Sequence, residues 1–463
     1  MKRFVTILFA TLALTGLLCV TASAASFDGA AEELAAIGML KGGANGFDLD
    51  KVPTRAQAAI MLVRLFGAEP EAQGAYGSGR ITCPFTDVNE TAAPYVAWLA
   101  DEGLANGTSE TVFGAAEPCT AKAYTIFLLR ALGYEDGEDF TPGTAQAFAA
   151  GLGIVDTSAV TGTFLRDDLA ALTYQALGTD LKDGSTYLLD SLIALGDIKG
   201  NDAYPIVEKI ENMRALNAAS EALNKGLAMD FDMDAAVTVS SGDMVQQTEV
   251  AVEGDLRMIL DQSPKMSANV KVTAGGESES LSMWMRGDWL YVQSGGTSVK
   301  MAIPDLMDAL REALEAGAGT NTGAGVLPFL ESVTAKTSGK DTVYTVELNG
   351  ALVNMVNSLM AESLEEAGLS AEAAGELEFH GFTICYTVSG DALKSISADA
   401  ALSMDMELPT EAGDTVKGTA GIALEMQMDI TASGDKVSIR FPDFSGFEDV
   451  IGAADGPTGI FAA

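Results

Sequence analysis

Two hydrophobic periods divide the chain. Up to about residue 225 the apolar positions recur at helical spacing; Ala56, Ala59, Ile60 and Val63, for example, give one helix a single apolar face. From Met229 the period switches to two. Phe231, Met233, Ala235, Val237 and Val239 alternate with Asp230, Asp232, Asp234, Ala236 and Thr238. Leu424, Met426, Met428 and Ile430 alternate with Glu425, Gln427 and Asp429, and Leu402, Met404, Met406 and Leu408 repeat the pattern. Such runs are strands with one apolar and one solvated face, joined here by turns such as Ala274-Gly275-Gly276 and Ser433-Gly434-Asp435. About nine of them are expected, enough for one large antiparallel sheet. Helical spacing returns at 304–316 and 348–367, which predicts two helices inserted among the strands. The pattern therefore predicts a multidomain protein: an all-α unit over 25–200, a helical connector over 201–228, an α+β domain over 229–447 built on a curved antiparallel sheet with two or three helices, and a tail over 448–463.

The all-α part contains an internal repeat, in copies at 27–67, 85–133 and 140–178, followed by a closing helix at 187–195. Each copy has a helix ending in a Gly-hydrophobic stop (Gly38-Met39, Gly103-Leu104, Gly153-Ile154), a loop, an aromatic residue (Phe47, Phe113, Phe164) and a second helix. In copy one, Thr54 and Gln57 form a capping box, which puts Arg55 in the first helical turn. The helix dipole disfavours a cation there, so the arginine needs another reason. A helix start attracts carboxylates and phosphates, and a guanidinium beside it adds a bidentate clamp. Aligning the copies on Gly67, Gly133 and Gly178 places Arg166 opposite Arg55, whereas copy two has Thr120, Ala121 and Lys122 there. Lys122 can substitute only as a point charge. The competing reading makes these arginines surface cations paired with nearby carboxylates; recurrence at one helical position favours an anionic ligand. Arg64 and Arg130 sit in the last turn, where the dipole welcomes a cation, and are read as structural.

With Phe85-Thr86-Asp87-Val88, the Gly-x-x-Gly loop rhythm and Pro53-Thr54-Arg55-Ala56-Gln57, these repeats resemble the S-layer homology family. The resemblance implies a compact three-repeat helical domain that binds a secondary cell-wall polysaccharide through its negatively charged, pyruvylated end sugar. Family pockets also use the opening Asp and loop glycines, which adds Asp87 and Gly107 in copy two and Gly42 and Gly43 in copy one. The second half is similar, by pattern more than by motif, to the lipoprotein-carrier (LolA-like) half-barrels. Trp289-Leu290-Tyr291-Val292 followed by Gly295 and Lys300-Met301 looks like a strand pair common there.

Charge narrows the partners. The chain has 65 Asp+Glu against 27 Lys+Arg, a net charge of -38, which argues against nucleic acid and anionic membranes as general partners. A single histidine, His380, rules out His-rich metal cages. No Gly-x-Ser-x-Gly, phosphate-binding loop, Gly-x-Gly-x-x-Gly, Cys-x-x-Cys or His-Glu-x-x-His is present, so no catalytic residue, cofactor or metal site is assigned and a non-enzyme is expected. Lys2 and Arg3, the apolar run that follows and Ala22-Ser23-Ala24 read as a signal peptide over 1–24. An exported protein, held at the cell wall or S-layer and without a membrane span in its mature form, is expected. Export permits a Cys83–Cys119 disulfide; the alternative is two small buried hydrophobes. Fifteen of the 19 methionines lie from Met229 onward. They fit either a plain core or a groove for an apolar or lipid ligand, which would make the second domain a wall-localised carrier or sensor.

Overall fold

The computed structural model describes residues 27–43, 46–105, 107–155, 163–241, 244–261, 263–304, 324–351, 374–409 and 415–449. The expected signal peptide, nearly all of both inserted helices and the end of the tail lie outside them.

Three equivalent helix stops organise the first half. Helices α1 (Asp28–Ala36), α4 (Ala93–Asp101) and α6 (Ala145–Gly151) are each followed by a glycine in the left-handed region: Gly38 at φ 81°, Gly103 at 69° and Gly153 at 87°. The next residue then turns its N–H back onto the helix, Met39 to Leu34 O (2.9 Å), Leu104 to Leu99 O (2.8 Å) and Ile154 to Ala149 O (2.9 Å). These are Schellman stops, which satisfy the orphan carbonyls and send the following hydrophobe inward. The partner helices are α2 (Arg55–Leu65), α5 (Ala121–Ala131) and α7 (Arg166–Leu177), with α3 (Glu69–Gly77) between the first two copies. Arg64 and Arg130 donate to Met39 O (2.6 Å) and Leu104 O (2.5 Å), and each also pairs with an acid, Glu69 or Asp136. Copy three uses Gln175, which receives Val155 N–H at 2.7 Å. All three residues fasten the turn after the first helix.

Helix α8 (Leu188–Leu195) closes the repeats and α9 (Gly200–Ser220) leads to the sheet, ending in a 3-10 turn, Glu221–Asn224. Among the described residues twelve strands, rather than about nine, form one sheet: β1 (Gly226–Ser241), β2 (Met244–Ile259), β3 (Lys265–Ala274), β4 (Glu277–Arg286), β5 (Trp289–Ser294), β6 (Thr297–Ala302), β7 (Leu330–Ser338), β8 (Asp341–Leu348), β9 (Ala374–Ser389), β10 (Ala392–Pro409), β11 (Thr415–Ser433) and β12 (Glu448–Asp449). Their order is β12-β6-β5-β4-β3-β2-β1-β11-β10-β9-β8-β7, antiparallel throughout except for the parallel β12–β6 pair. The two-residue β12, Glu448–Asp449, is too short and too polar for the alternation test to register.

Register puts the alternating apolar residues on one face. Met233 stands opposite Val252 of β2 and Met426 of β11, and Met426 opposite Ala398 of β10. Met233, Met285 and Met428 are buried, as core side chains are. At the β7–β10 end this face packs against α9 and the repeats, so Val333, Val346, Ile384 and Ala398 share one continuous core with Leu34, Leu62 and Leu172. The 3-10 turn Ala324–Phe329 reaches into the repeats; Phe329 meets Phe27 edge-on at 5.3 Å. Among the described residues no helix is long and apolar enough to cross a membrane.

Cys83 and Cys119 are free thiols, which corrects the disulfide reading; of the two, only Cys119 is a buried hydrophobe as the alternative had it, Cys83 being half-buried. Cys119 is buried, and burial pushes its thiol up to about 11. Phe164 is also placed differently from the alignment. It lies two residues before α7, at the position of Pro53 and Cys119, whereas Phe47 and Phe113 precede their helices by eight residues.

Candidate functional site

The starts of α2 and α7 are junctions between repeats. Thr54 caps α2, its hydroxyl accepting Gln57 N–H at 3.3 Å while the Gln57 side chain accepts Thr54 N–H at 2.9 Å. Arg55 and Ala56 at its first two positions donate their N–H groups to Glu117 O (2.9 Å) and Ala115 O (3.1 Å) of copy two. The same pattern recurs at α7. Arg166 and Asp167 donate to Lys51 O (2.8 Å) and Leu49 O (3.1 Å), the corresponding carbonyls of copy one. A loop from one repeat thus fills the helix start of another. The starts of α2 and α7 are therefore not the open anion seats expected from the sequence; backbone carbonyls take their first N–H groups, which leaves side chains to meet a ligand.

At the first junction, Arg55 Nε donates to Phe113 O at 3.2 Å, and its guanidinium lies 5.0 Å from the centre of the Phe113 ring. Asp87, an exposed residue, holds the same loop. Its Oδ1 accepts Phe113 N–H (2.8 Å) and its Oδ2 accepts Gly114 N–H (2.8 Å) and Ala115 N–H (2.9 Å). The Phe113 N–H, followed by the other loop donors, holds the carboxyl below its ordinary range. Gly107 gives the loop room: a Cβ there would come within 2.5 Å of Phe85 Cε1, Ser109 O and Val112 O.

The second junction is built differently. Arg166 faces the carboxylate of Asp48 at 3.9 Å, and Asp48 also accepts from Lys51 at 2.6 Å. Asp48 has φ 51°, and its counterpart in copy two is Gly114, at φ 77°, which offers no carboxylate to Arg55. The competing surface-pair reading therefore fits Arg166 in part. Beside it Asp167 is buried and accepts Phe27 N–H at 2.7 Å; burial, with Asp168 and Asp28 nearby, pushes its carboxyl up to about 7 against that bond.

The remaining candidates are scattered. Thr120 caps α5 by accepting Ala123 N–H at 3.2 Å, and Lys122 is exposed on its first turn. The copy-three loop at 156–162, whose counterparts fill the other helix starts, lies outside the described residues. Gly42 and Gly43 belong to an exposed turn closed by Gly43 N–H to Gly46 O at 2.7 Å. The structure thus brings Thr54, Arg55, Asp87 and Gly107 into one unit and Arg166 into a second. Sequence reasoning missed Asp48 and Asp167; the only hint was their unusual density of acids beside an arginine. His380 is exposed, its Nε2 2.6 Å from Ser403 Oγ, and among the described residues no three His, Cys, Asp or Glu side chains converge as a metal cage requires.

Residues 84–120, which run from the start of copy two through Asp87, the Phe113 loop and the Thr120 cap, match the S-layer homology domain. The chain therefore carries a repeat of the kind that associates proteins with the cell surface and the S-layer, followed by a large antiparallel sheet. No curated protein matches the chain in sequence. Among solved structures it is similar to LprF from Mycobacterium bovis, at 12% identity over 51% of this chain and 98% of that one, with a TM-score of 0.25.

Proposed function

We propose that the protein is an exported, non-enzymatic surface protein whose repeats hold the anionic, pyruvylated end of a secondary cell-wall polysaccharide and so keep the β-rich domain at the wall. The observation that carries this reading is Arg55: a guanidinium fixed at a repeat junction by a carbonyl and an aromatic face, in a chain of net charge -38. In so acidic a protein an anion is attracted only where a cation is held locally. Arg166 at the equivalent junction is the second contact, weakened by Asp48. Lys122 and Thr120 are the weakest, since no arginine stands there. The acid excess elsewhere keeps the rest of the surface off an anionic wall.

The test is co-sedimentation of the mature full-length chain with purified walls, before and after removal of the pyruvylated polymer. Binding should vanish with the polymer and fall at least tenfold in Arg55→Ala plus Arg166→Ala, as expected for losing charge-assisted contacts. An unchanged double variant would remove both arginines from the site.

A second reading, a carrier or sensor of an apolar or lipid ligand, rests on the methionine-bearing apolar face that runs across the sheet, where Phe231, Val270 and Met283 are only half-buried among the described residues. Native mass spectrometry of the purified chain tests it, with copurified lipid as the expected result.

A further inference from the structure

Asp87 belongs to copy two and Arg55 to copy one, yet a single stretch of backbone joins them. Phe113, Gly114 and Ala115 point their N–H groups at the Asp87 carboxylate, at 2.8, 2.8 and 2.9 Å. Two of those same residues point their carbonyls the other way: Phe113 O accepts from Arg55 Nε and Ala115 O from Ala56 N–H. We propose that Asp87 is a positioning residue, which sets the Arg55 guanidinium for the polymer's anionic end by clamping the Phe113–Ala115 backbone, and which does not touch the polymer itself. This rests on the polymer-binding reading above.

Three arguments support the assignment. A carboxylate that already accepts three backbone N–H bonds has spent most of its acceptor capacity and has no donor to offer. As an anion it would also repel the anionic sugar it was expected to contact. Finally, the other junction presents a carboxylate to its arginine in another way. There the loop position of Gly114 is taken by Asp48, whose side chain faces Arg166 directly at 3.9 Å. At the first junction the clamped backbone contacts the arginine; at the second a carboxylate faces it.

A double-mutant cycle in the full mature chain decides the matter. Affinity for the purified polymer is measured by calorimetry, and the Arg55 Nε–H resonance is followed by selective arginine labelling, identified by its loss in Arg55→Ala. Asp87→Ala should move that resonance and weaken binding about tenfold, close to the effect of Arg55→Ala. Asp87→Ala with Arg55→Ala should be no weaker than Arg55→Ala alone, whereas Asp87→Ala with Arg166→Ala should multiply their losses. Asp87→Asn, which keeps one acceptor oxygen, should fall between wild type and Asp87→Ala; it carries the same comparison if the alanine variant does not fold. An unmoved Arg55 resonance, or losses at Asp87 and Arg55 that multiply, would overturn the proposal. Should the wild-type chain fail to bind the polymer, the anchoring reading falls, and the Arg55 resonance in the Asp87 variants still decides whether the clamp exists.

Discussion

An acid in the first turn of a helix is ordinarily welcome, and Asp167 occupies such a position in α7. Burial reverses the balance: its carboxyl is pushed up to about 7, with one N–H bond, from Phe27, opposing the shift. A raised acid pKa means that the folded state holds a proton the unfolded state has released. Stability from this group is therefore fully present below about pH 4, is lost as pH rises towards 7 and is flat above it. Asp167→Asn keeps an acceptor for Phe27 N–H and removes the charge. Thermal unfolding should show a higher Tm for the variant at pH 8 and little difference at pH 4; equal Tm values at both would refute the assignment.

Among the elements, the helix stops show how one residue type serves two ends. Gly67 and Gly133 follow α2 and α5 at positive φ, 67° and 91°, as chain reversal requires. Gly178 aligns with them in sequence but caps α7 at φ -88°, where any residue fits. What it supplies is space, because a Cβ would stand 2.5 Å from Leu327 Cδ1 of the 3-10 turn. Gly178→Ala should thus destabilise by about 1–3 kcal/mol through overpacking, and Leu327→Ala in the same chain should cost less than in wild type, which denaturant titration can measure. Thr54→Ala should cost about 1 kcal/mol through the lost cap, read from the same titration.

For the molecule as a whole, the repeats and the sheet behave as one body. Lys209 of α9, with its side chain 7% exposed, bonds Glu33 of α1 at 2.7 Å and Leu330 O of β7 at 3.3 Å; Glu33 also accepts from Tyr174 of α7. Removing the lysine strands the half-buried Glu33 carboxylate, so Lys209→Ala should cost about 1–3 kcal/mol, while Lys209→Met with Glu33→Leu should restore most of it. Near- and far-UV circular dichroism should follow one shared unfolding transition in the wild-type chain. Separate transitions for helix and strand signals would mean that the two halves fold independently.

The sequence by itself determined what depends on neighbours along the chain: three repeats, their Schellman glycines, the Thr54–Gln57 box, the place of Arg55 and Arg166 in a first turn, and the period-two strands. These follow from local dihedral and hydrogen-bonding preferences and from which face must be apolar. Tertiary structure alone decided what the starts of α2 and α7 meet, which loop Asp87 clamps, why the Asp167 carboxyl is pushed up, and that Gly178 makes room for Leu327. Those contacts join residues from 26 to 149 positions apart, and no period or motif encodes such pairings; they exist only once the repeats have packed against one another and against the sheet.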